Sequence, residues 1–332
     1  MALNKRVILA GLGSIGKRHL RLLKERSNIH VEIVEPNNNI VAETKKELGE
    51  FVLHSSFEEA LYSKPDIVWL ATPTHLHKQQ SIDALNAGCH VFCEKPMASD
   101  AEEAKEMKKV VEKTGKKFAV GYYLHFWKGI TTLKKIISDG VLGNVLHVHA
   151  RVGTYITLVN SQSRYQLSNP GSLFLDYSHQ PDLFFWLFKK LPEKVYTNAI
   201  HGGDLEFSAN PNIADIIMSY KGAVPFSSTI HLNYVQMPQR HLYEITGDKA
   251  WAVLDAEKQI IKIGYKDSTK FDTISVNQDR DDIFRLEHIA FFNLLNQKNS
   301  EMDSVDNVVK TQIICDAIIE SWRRNEVISI RY

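Results

Sequence analysis

The first 123 residues alternate between short apolar runs rich in β-branched residues and longer stretches in which apolar positions recur at helical spacing. The short runs predict strands at Arg6–Ala10, His30–Glu35, Asp66–Ala71, His90–Cys93 and Lys117–Val120. The longer stretches predict helices at Ser14–Lys24, Ile40–Leu48, His75–Ala87 and Ser99–Lys113, with glycines near three of their ends at Gly49, Gly88 and Gly115. Strands that alternate with helices need crossover connections, so this half predicts an α/β domain with a doubly wound parallel sheet.

The second half has a different pattern, in which strand-like runs follow one another without helices between them. The runs lie at Val145–Thr154, Val195–Ile200, Ile213–Tyr220, Val224–Leu232, His241–Thr246, Trp251–Leu254, Ile260–Tyr265 and Phe271–Val276. Helical spacing is found at Gly129–Asp139, Ile283–Leu295 and Val305–Arg323. The pattern predicts an α+β domain with a largely antiparallel open sheet. We therefore expect two domains, residues 1–123 and residues 124–332.

Composition narrows the class of protein without identifying it. The chain has 332 residues, 44% of them hydrophobic, and a net charge of +1, so it offers no electrostatic reason to expect nucleic acid or an anionic membrane as a partner. The N-terminal apolar stretch is too short for a signal peptide, and no apolar run is long enough to cross a bilayer. Cys89, Cys93 and Cys315 form neither a disulfide framework nor a zinc pattern. We expect a cytoplasmic protein with no metal site.

A glycine-rich turn follows the first predicted strand. Gly11-Leu-Gly-Ser-Ile-Gly16 fits the GxGxxG pattern between an apolar strand and an amphipathic helix, which is the context of a Rossmann dinucleotide-binding domain. Gly11 permits the tight turn, Gly13 lets the backbone approach a pyrophosphate, and Gly16 lets helix and strand pack closely. The predicted cofactor contacts here are Gly11, Gly13, Ser14, Ile15 and Gly16. The alternative is a glycine-rich turn that binds no ligand.

An acidic residue ends the second predicted strand. Glu35 lies 19 residues after Gly16, where a carboxylate accepts hydrogen bonds from the adenosine ribose and repels a 2′-phosphate. No arginine follows it, since Pro36 and three asparagines come next. NAD is therefore predicted over NADP. A solvated glutamate at the strand end is the alternative interpretation.

Two loops at the carboxyl ends of later strands carry further motifs, and together they resemble one family. Ala71-Thr-Pro-Thr-His-Leu-His77 and Cys93-Glu-Lys-Pro96 resemble the T-P-N-x-x-H loop and the E-K-P signature of the glucose–fructose oxidoreductase/inositol dehydrogenase family (Gfo/Idh/MocA). Gly121-Tyr-Tyr-Leu-His-Phe126 is similar to its G-Y-N-x-R-F segment. The stretch from Gly171 to Asp182 is similar to its G-G-x-x-x-D-x-x-H-x-x-D pattern.

The resemblance implies an NAD(P)-dependent dehydrogenase or reductase that transfers a hydride between nicotinamide and a CH–OH group of a sugar-like compound. It implies catalytic roles for Lys95, Asp176 and His179, with Lys95 beside the reacting oxygen and His179 as general acid/base. The implied substrate contacts are Lys95, Tyr123, Asp176 and His179. The implied cofactor contacts beyond the glycine turn are Thr72, Pro73, His77, Glu94 and Lys95.

These roles agree with elementary chemistry. An imidazole titrates near neutrality, as proton removal from a carbinol requires, and an ammonium stabilises alkoxide character. Asp176, His179 and Asp182 are spaced by three, so on one helix they would share a face. Each residue also has a structural alternative: Lys95 as a solvated loop residue, His179 as a capping or core histidine, Asp182 as a residue that orients the helix or holds His179. His75 and His77 are expected to cap or pack at their loop.

Several positions depart from the family pattern and leave the substrate open. Thr74 replaces the asparagine of the T-P-N loop, and Tyr123 and His125 replace the asparagine and arginine of G-Y-N-x-R-F. Arg151 and Arg164 could bind an anionic group of the substrate or could be solvated surface residues.

Two other functions remain open besides a dehydrogenase of sugars, inositols or nucleotide sugars. One is a glycosidase that retains and recycles NAD, and the other is a non-catalytic regulator that binds the dinucleotide. The resemblance also implies a homo-oligomer, a dimer or tetramer, that pairs through the C-terminal sheet, because an antiparallel sheet needs one face covered.

Overall fold

The computed structural model describes residues 5–160, 167 and 169–332. Backbone packing divides them into two compact units. The first unit contains residues up to 123 together with residues 280–312, and the second contains residues 124–279 together with residues 313–332. The division at residue 123 coincides with the expected domain start, whereas residues 280–312 belong with the first unit.

The first unit is built on a six-stranded sheet with strand order β3-β2-β1-β4-β5-β6, all pairs parallel. Its strands are β1 Lys5–Ala10, β2 Ile29–Val34, β3 Val52–His54, β4 Ile67–Leu70, β5 His90–Glu94 and β6 Phe118–Gly121. The intervening helices are α1 Ser14–Lys24, α2 Asn38–Leu48, α3 Phe57–Tyr62, α4 Thr74–Asn86 and α5 Ala101–Thr114. The prediction of a doubly wound Rossmann sheet is confirmed.

The strand order reverses between β1 and β4, which is where such sheets bind their ligands. The glycine turn follows β1 and the loop from Ala71 to Pro73 follows β4, so both lie at the carboxyl ends of neighbouring strands. The connection after β5 carries Lys95 at the same edge. The sheet topology thus gathers three of the predicted motifs at one edge of the first unit.

Aromatic packing joins residues 280–312 to the core of the first unit. The rings of Trp69 on β4 and Phe92 on β5 stack with centroids 4.0 Å apart. Phe291 on helix α10, Arg280–Leu295, lies with its ring centroid 5.4 Å from each of them. All three side chains are fully buried. Helix α10 is therefore part of the hydrophobic core of the Rossmann unit although it follows the second unit in sequence.

The second unit contains a nine-stranded sheet with strand order β14-β13-β12-β11-β7-β10-β9-β8-β15. The strands are β7 Val145–Gly153, β8 Lys194–Ile200, β9 Ile213–Tyr220, β10 Phe226–Asn233, β11 Arg240–Gly247, β12 Ala250–Asp255, β13 Ile260–Tyr265, β14 Phe271–Ser275 and β15 Ile328–Ser329. Only β7 and β10 pair in parallel among these described strands. The predicted largely antiparallel sheet is confirmed.

Helices complete the second unit. They are α6 Lys128–Ser138, α7 Ile156–Asn160, α8 Ser172–Asp176 and α9 His179–Phe188, with a 3₁₀ turn at Tyr123–Phe126 before them. Helix α11, Val305–Arg324, contains residues of both units. None of the helices in the described parts of the chain is both long enough and apolar enough to span a membrane.

Candidate functional site

The turn after β1 leaves no room for side chains at two of its glycines. Gly11 has a φ of +93°, and a Cβ there would lie 2.5 Å from the Ala71 carbonyl oxygen. A Cβ on Gly16 would lie 2.0 Å from the Gly11 carbonyl oxygen. These contacts show why the strand, the turn and helix α1 pack closely only with glycine at both positions.

Gly13 differs from the other two glycines because the space beside it is open. No atom of the described residues lies within 4 Å of a Cβ built there, and Gly13 and Ser14 are exposed while Ile15 is half-buried. Gly13 is the N-cap of helix α1 and has no side chain to satisfy the first N–H groups of the helix. An open, uncapped helix N-terminus behind a tight glycine turn fits the diphosphate of a dinucleotide.

The Glu35 carboxylate is fixed beside this turn. Its Oε2 accepts a hydrogen bond from the backbone N–H of Leu12 at 2.8 Å, and its Oε1 accepts one from the N–H of Asn37 at 3.0 Å. The carboxylate is half-buried, and each of its oxygens retains a lone pair for another donor. The residue is therefore held where the sequence predicted a ribose-binding carboxylate.

His77 ties two of the predicted loops together. Its ring nitrogens lie 2.8 Å from the carbonyl oxygens of Thr72 and Pro96, and the side chain is 1% exposed. Burial lowers the pKa of His77, and the two carbonyls offset part of that shift. Pro73 is the N-cap of α4, and the Thr72 hydroxyl donates to Gln80. His77 thus joins the loop after β4 to the loop after β5, as a packed histidine.

Glu94 points into the first unit. Its Oε1 lies 2.8 Å from Nε2 of His19, and its Oε2 accepts from the backbone N–H of Lys95 at 3.3 Å. A Cβ on Gly121 would lie 2.9 Å from the same Oε1, so the absence of a side chain there makes room for the carboxylate. Lys95 itself is half-buried. Direct contact of Glu94 with a coenzyme stays a prediction.

Tyr123 lies at the end of the first unit and packs on helix α10. Its ring stacks on Phe284 with centroids 5.0 Å apart. Burial raises the pKa of the phenol, so the hydroxyl stays protonated at neutral pH. A role in substrate binding stays a prediction for this residue.

In the second unit, Asp176 ends helix α8 and His179 begins helix α9. The hydroxyl of the fully buried Tyr234 donates a hydrogen bond to Asp176 Oδ2. His179 is 7% exposed. Because Tyr177 and Ser178 separate the two helices, Asp176 does not lie on one continuous helix face with His179 and Asp182.

Asp182 is paired with His125, one of the residues that depart from the family pattern. Its Oδ2 lies 2.6 Å from Nε2 of His125, and both side chains are buried. The His125 ring stacks on Trp186 of the same helix with centroids 4.5 Å apart. This contact assigns Asp182 a partner that the sequence spacing did not suggest.

Of the two arginines considered for an anionic substrate, the structure describes only Arg151. Arg151 is exposed on β7 with its guanidinium 3.5 Å from the Gln236 side chain, and Arg164 lies outside the described residues. Sequence reasoning missed Tyr234, whose partner is 58 residues away, because no local pattern connects them.

Comparison with known proteins gives a match in each unit. Residues 5–122 match the family model GFO_IDH_MocA, described as "Oxidoreductase family, NAD-binding Rossmann fold". Residues 130–253 match the model described as "GFO/IDH/MocA C-terminal domain".

The chain matches two curated relatives over about half of the length of each. A 2,7-anhydro-N-acetylneuraminate hydratase of Mediterraneibacter gnavus is 30% identical over 203 residues, which are 59% of this chain and 53% of that protein. An inositol 2-dehydrogenase of Salmonella typhimurium is 26% identical over 188 residues, which are 55% of this chain and 54% of that protein. The first name denotes addition of water and the second denotes oxidation.

The fold is also that of solved structures. The scyllo-inositol dehydrogenase from Lactobacillus casei, solved with bound NAD(H) and scyllo-inositol, has a TM-score of 0.82 at 20% identity. The match covers 98% of this chain and 99% of that chain.

Proposed function

Because this chain belongs to the GFO/IDH/MocA oxidoreductase family, whose N-terminal domain is an NAD-binding Rossmann fold, we propose that it is an NAD-dependent dehydrogenase or reductase. Its substrate would be the CH–OH group, or the matching ketone, of a sugar, an inositol or a nucleotide sugar. The observation that carries the proposal is the glycine turn, which is open at Gly13 beside a fixed Glu35 carboxylate.

NAD fits the residues of the first unit. The diphosphate would lie on the N-terminus of α1, where Gly13, Ser14 and Ile15 supply backbone N–H groups. Glu35 would accept from the ribose hydroxyls and would repel the 2′-phosphate of NADP. When bound, the nicotinamide supplies the acceptor for a hydride.

The protein residues would manage the proton and the charge on oxygen. His179 would accept the hydroxyl proton at a ring nitrogen as the C–H bond breaks, and Lys95 would stabilise the negative charge that develops on the oxygen. The products are a ketone, the reduced coenzyme and a protonated imidazole, so atoms and electrons balance. Asp176 would hold the substrate hydroxyls, in an orientation supported by the hydrogen bond from Tyr234.

Turnover by two variants tests these roles. The purified chain is mixed with NAD⁺ and a panel of sugars, inositols and nucleotide sugars, and NADH is followed by its absorbance. We expect Lys95→Ala and His179→Ala each to lower turnover by about 10²–10⁴-fold, the usual contribution of a positioned proton-transfer or charge-stabilising group. Both variants should still bind NAD, because neither group is needed for the diphosphate contacts.

Two variants serve as matched controls. Lys105 is exposed and paired with Glu102 in the first unit, and His201 contacts the Ala209 carbonyl in the second. Lys105→Ala and His201→Ala should turn over at the wild-type rate. Wild-type rates in Lys95→Ala and His179→Ala as well would show that the assigned roles are wrong.

A second candidate is a reaction without net redox change, in which the coenzyme is reduced and then oxidised again within one turnover. The name of the M. gnavus relative, a hydratase, favours this alternative to simple oxidation. It includes the NAD-retaining glycosidase considered above. Product formation on the same panel without accumulation of NADH would select it, whereas steady NADH production would select the dehydrogenase.

We also propose that the chain forms a homo-oligomer through the outward face of its nine-stranded sheet, and that it works in the cytoplasm. In support of the first point, Ile217 on β9 and Ile200 on β8 are 50% and 53% exposed. In support of the second, Cys89 and Cys93 are buried and form no disulfide.

A further inference from the structure

The first unit contains a buried group of ionisable side chains that the proposed reaction does not use. We call it the α1–α10 cluster, and it consists of His19 on α1, Glu94 at the end of β5, and Glu287 and His288 on α10. Their exposed fractions run from 0% for His19 and Glu287 to 8% for Glu94. Residues that are 268 positions apart in the chain therefore meet in one interior site.

Glu287 has no protein partner in this interior. Neither carboxylate oxygen lies within hydrogen-bonding distance of another side chain or backbone group among the described residues. Proton uptake alone does not remedy this, because a carboxylic acid still presents an O–H and a carbonyl oxygen that need partners. Buried charges in proteins are otherwise paired or coordinate metal ions. The buried carboxylate of Glu287 thus lacks a cation to balance its charge.

His19 is oriented in the way that a metal-binding histidine is. Its Nδ1 lies 2.8 Å from Nε2 of His288, and its Nε2 faces Oε1 of Glu94 at 2.8 Å. A metal-binding His19 would donate its Nδ1–H to Nε2 of His288 across this contact. The same hydrogen bond leaves a lone pair on Nε2 of His19, directed toward the two carboxylates. A ligating histidine ordinarily donates its other N–H in this manner.

The distances suit a single ion. One potential ligand atom from each of His19, Glu94 and Glu287 lies within 4.8 Å of the other two. Bonds of about 2.0–2.2 Å from one ion would place its ligands roughly 3–4 Å apart, so two atoms at the 4.8 Å limit would have to approach each other by roughly 1–2 Å. One imidazole and two carboxylates offer nitrogen and oxygen donors without a thiolate, a set that suits zinc and other first-row divalent ions.

We propose that His19, Glu94 and Glu287 bind one divalent first-row transition-metal ion, such as zinc, with His288 holding His19 in the ligating orientation. The ion neutralises the two buried carboxylates and links α1, β5 and α10 within the first unit. Its role is to stabilise that unit and to fix Glu94 next to Lys95. The proposal does not depend on the proposed function, and it departs from the sequence expectation of no metal site.

Zinc binding without coenzyme or substrate tests the proposal. The full chain is stripped with a chelator, and its zinc uptake is measured by calorimetry, metal analysis and thermal denaturation. We expect one zinc ion per chain and a higher melting temperature on loading. Glu287→Gln should weaken zinc binding by at least about 100-fold, because losing a direct ligand should cost no less than losing a supporting residue does.

A matched control separates ligation from general damage to the fold. Glu32 in the same unit is 5% exposed, but its oxygens are paired with Arg6 at 2.9 Å and His54 at 2.6 Å. Glu32→Gln should therefore bind zinc like the wild type. Equal zinc affinity in Glu287→Gln and the wild type, or no saturable uptake by the wild type, would overturn the proposal.

A measurement on the unmodified chain covers the case in which Glu287→Gln does not fold. Cobalt(II) is loaded in place of zinc, and the proton NMR spectrum is recorded. We expect one strongly shifted ring N–H signal that exchanges slowly, from the buried Nδ1–H of His19. If cobalt shifts no slowly exchanging histidine N–H, the ion binds elsewhere and the assignment is wrong.

Discussion

Gly13 and Gly16 lie three residues apart in one turn, yet they restrict a side chain in opposite ways. A Cβ on Gly16 collides with the backbone of Gly11, whereas a Cβ on Gly13 meets nothing within 4 Å. Gly13 also has a φ of −62°, which alanine adopts readily. The turn therefore uses one glycine for its own packing and keeps another for the approach of a ligand.

Alanine at these two positions should separate folding from coenzyme binding. We expect Gly16→Ala to lower the free energy of unfolding by about 2 kcal/mol or more, because the clash is with backbone. Gly13→Ala should leave stability within about 0.5 kcal/mol of the wild type but weaken NAD binding at least about tenfold, because the methyl group occupies the diphosphate position.

Urea denaturation and calorimetric titration with NAD measure the two quantities for each variant. Each glycine is the control for the other. Undiminished NAD affinity in Gly13→Ala would mean that the diphosphate does not lie on this turn.

For single residues, the sequence predicts features that depend on local spacing and misses those that depend on tertiary packing. The glycine turn and Glu35 are recognisable because their spacing along the chain is set by one strand–helix–strand unit. Glu287 gives no such signal, since an isolated glutamate on an amphipathic helix ordinarily faces solvent. Its burial depends on which surface α10 packs against, and that is a tertiary property.

At the scale of elements, one buried side chain can fix the conformation of two loops. His77, on the first turn of α4, holds the carbonyls of Thr72 and Pro96 and so fixes two connections at the edge of the parallel sheet. The neutral ring can donate to only one of these two carbonyls, yet burial lowers the pKa of the imidazole and so favours the neutral form.

This clamp should make the first unit sensitive to acid. Between the lowered pKa of His77 and the ordinary value of 6.5, the unfolded chain binds more protons, so the free energy of unfolding falls as the pH falls. The slope from this one group is at most about 1.4 kcal/mol per pH unit, and the contribution is fully present above pH 6.5.

Denaturation of wild type and His77→Gln at about pH 7.5 and about pH 5.5 measures this contribution. The variant should lose less stability on acidification than the wild type. His30→Gln, in which an exposed histidine of the same unit is replaced, is the control. Identical pH dependence in wild type and His77→Gln would refute the prediction.

Several short or fully buried elements escaped prediction, among them strand β3 and helix α9. Strand β3 is three residues long, and Val52 and Leu53 are 48% and 39% exposed, so it lacks the buried run that marks the other parallel strands. Helix α9 is buried on every side from His179 to Leu187, and a helix that is apolar all round shows no amphipathic period. Pattern reasoning finds strands with a buried apolar run and helices with one buried face, and these two elements are neither.

The outward face of the nine-stranded sheet is the broadest feature of the second unit. Ile217 pairs with Tyr196 on one side and with Thr229 on the other, and all three alternate with fully buried neighbours. The inward residues are covered by the unit's own core, while Ile217 stays half exposed. A mixed apolar and polar face of this kind is suited to pairing with a second copy.

Charge placed on this face should dissociate the proposed homo-oligomer. We expect Ile217→Asp to reduce the mass found by light scattering to that of one chain, because an unpaired carboxylate in an interface has to be desolvated. Leu286→Asp on α10 is the control, since Leu286 is 44% exposed but lies outside the sheet. A single-chain mass for the wild type, or an unchanged oligomer in Ile217→Asp, would contradict the proposed interface.

The order of the units along the chain has a consequence for biosynthesis. The Rossmann core needs Phe291, which packs edge-on against Trp69 and Phe92, so a nascent chain that ends at residue 123 exposes those rings. At roughly 5–20 residues per second, a ribosome needs on the order of 10–30 s to add the intervening segment and reach α10. The unit that is begun first is thus completed late, and during that interval its unfinished aromatic surface is a natural client for a chaperone.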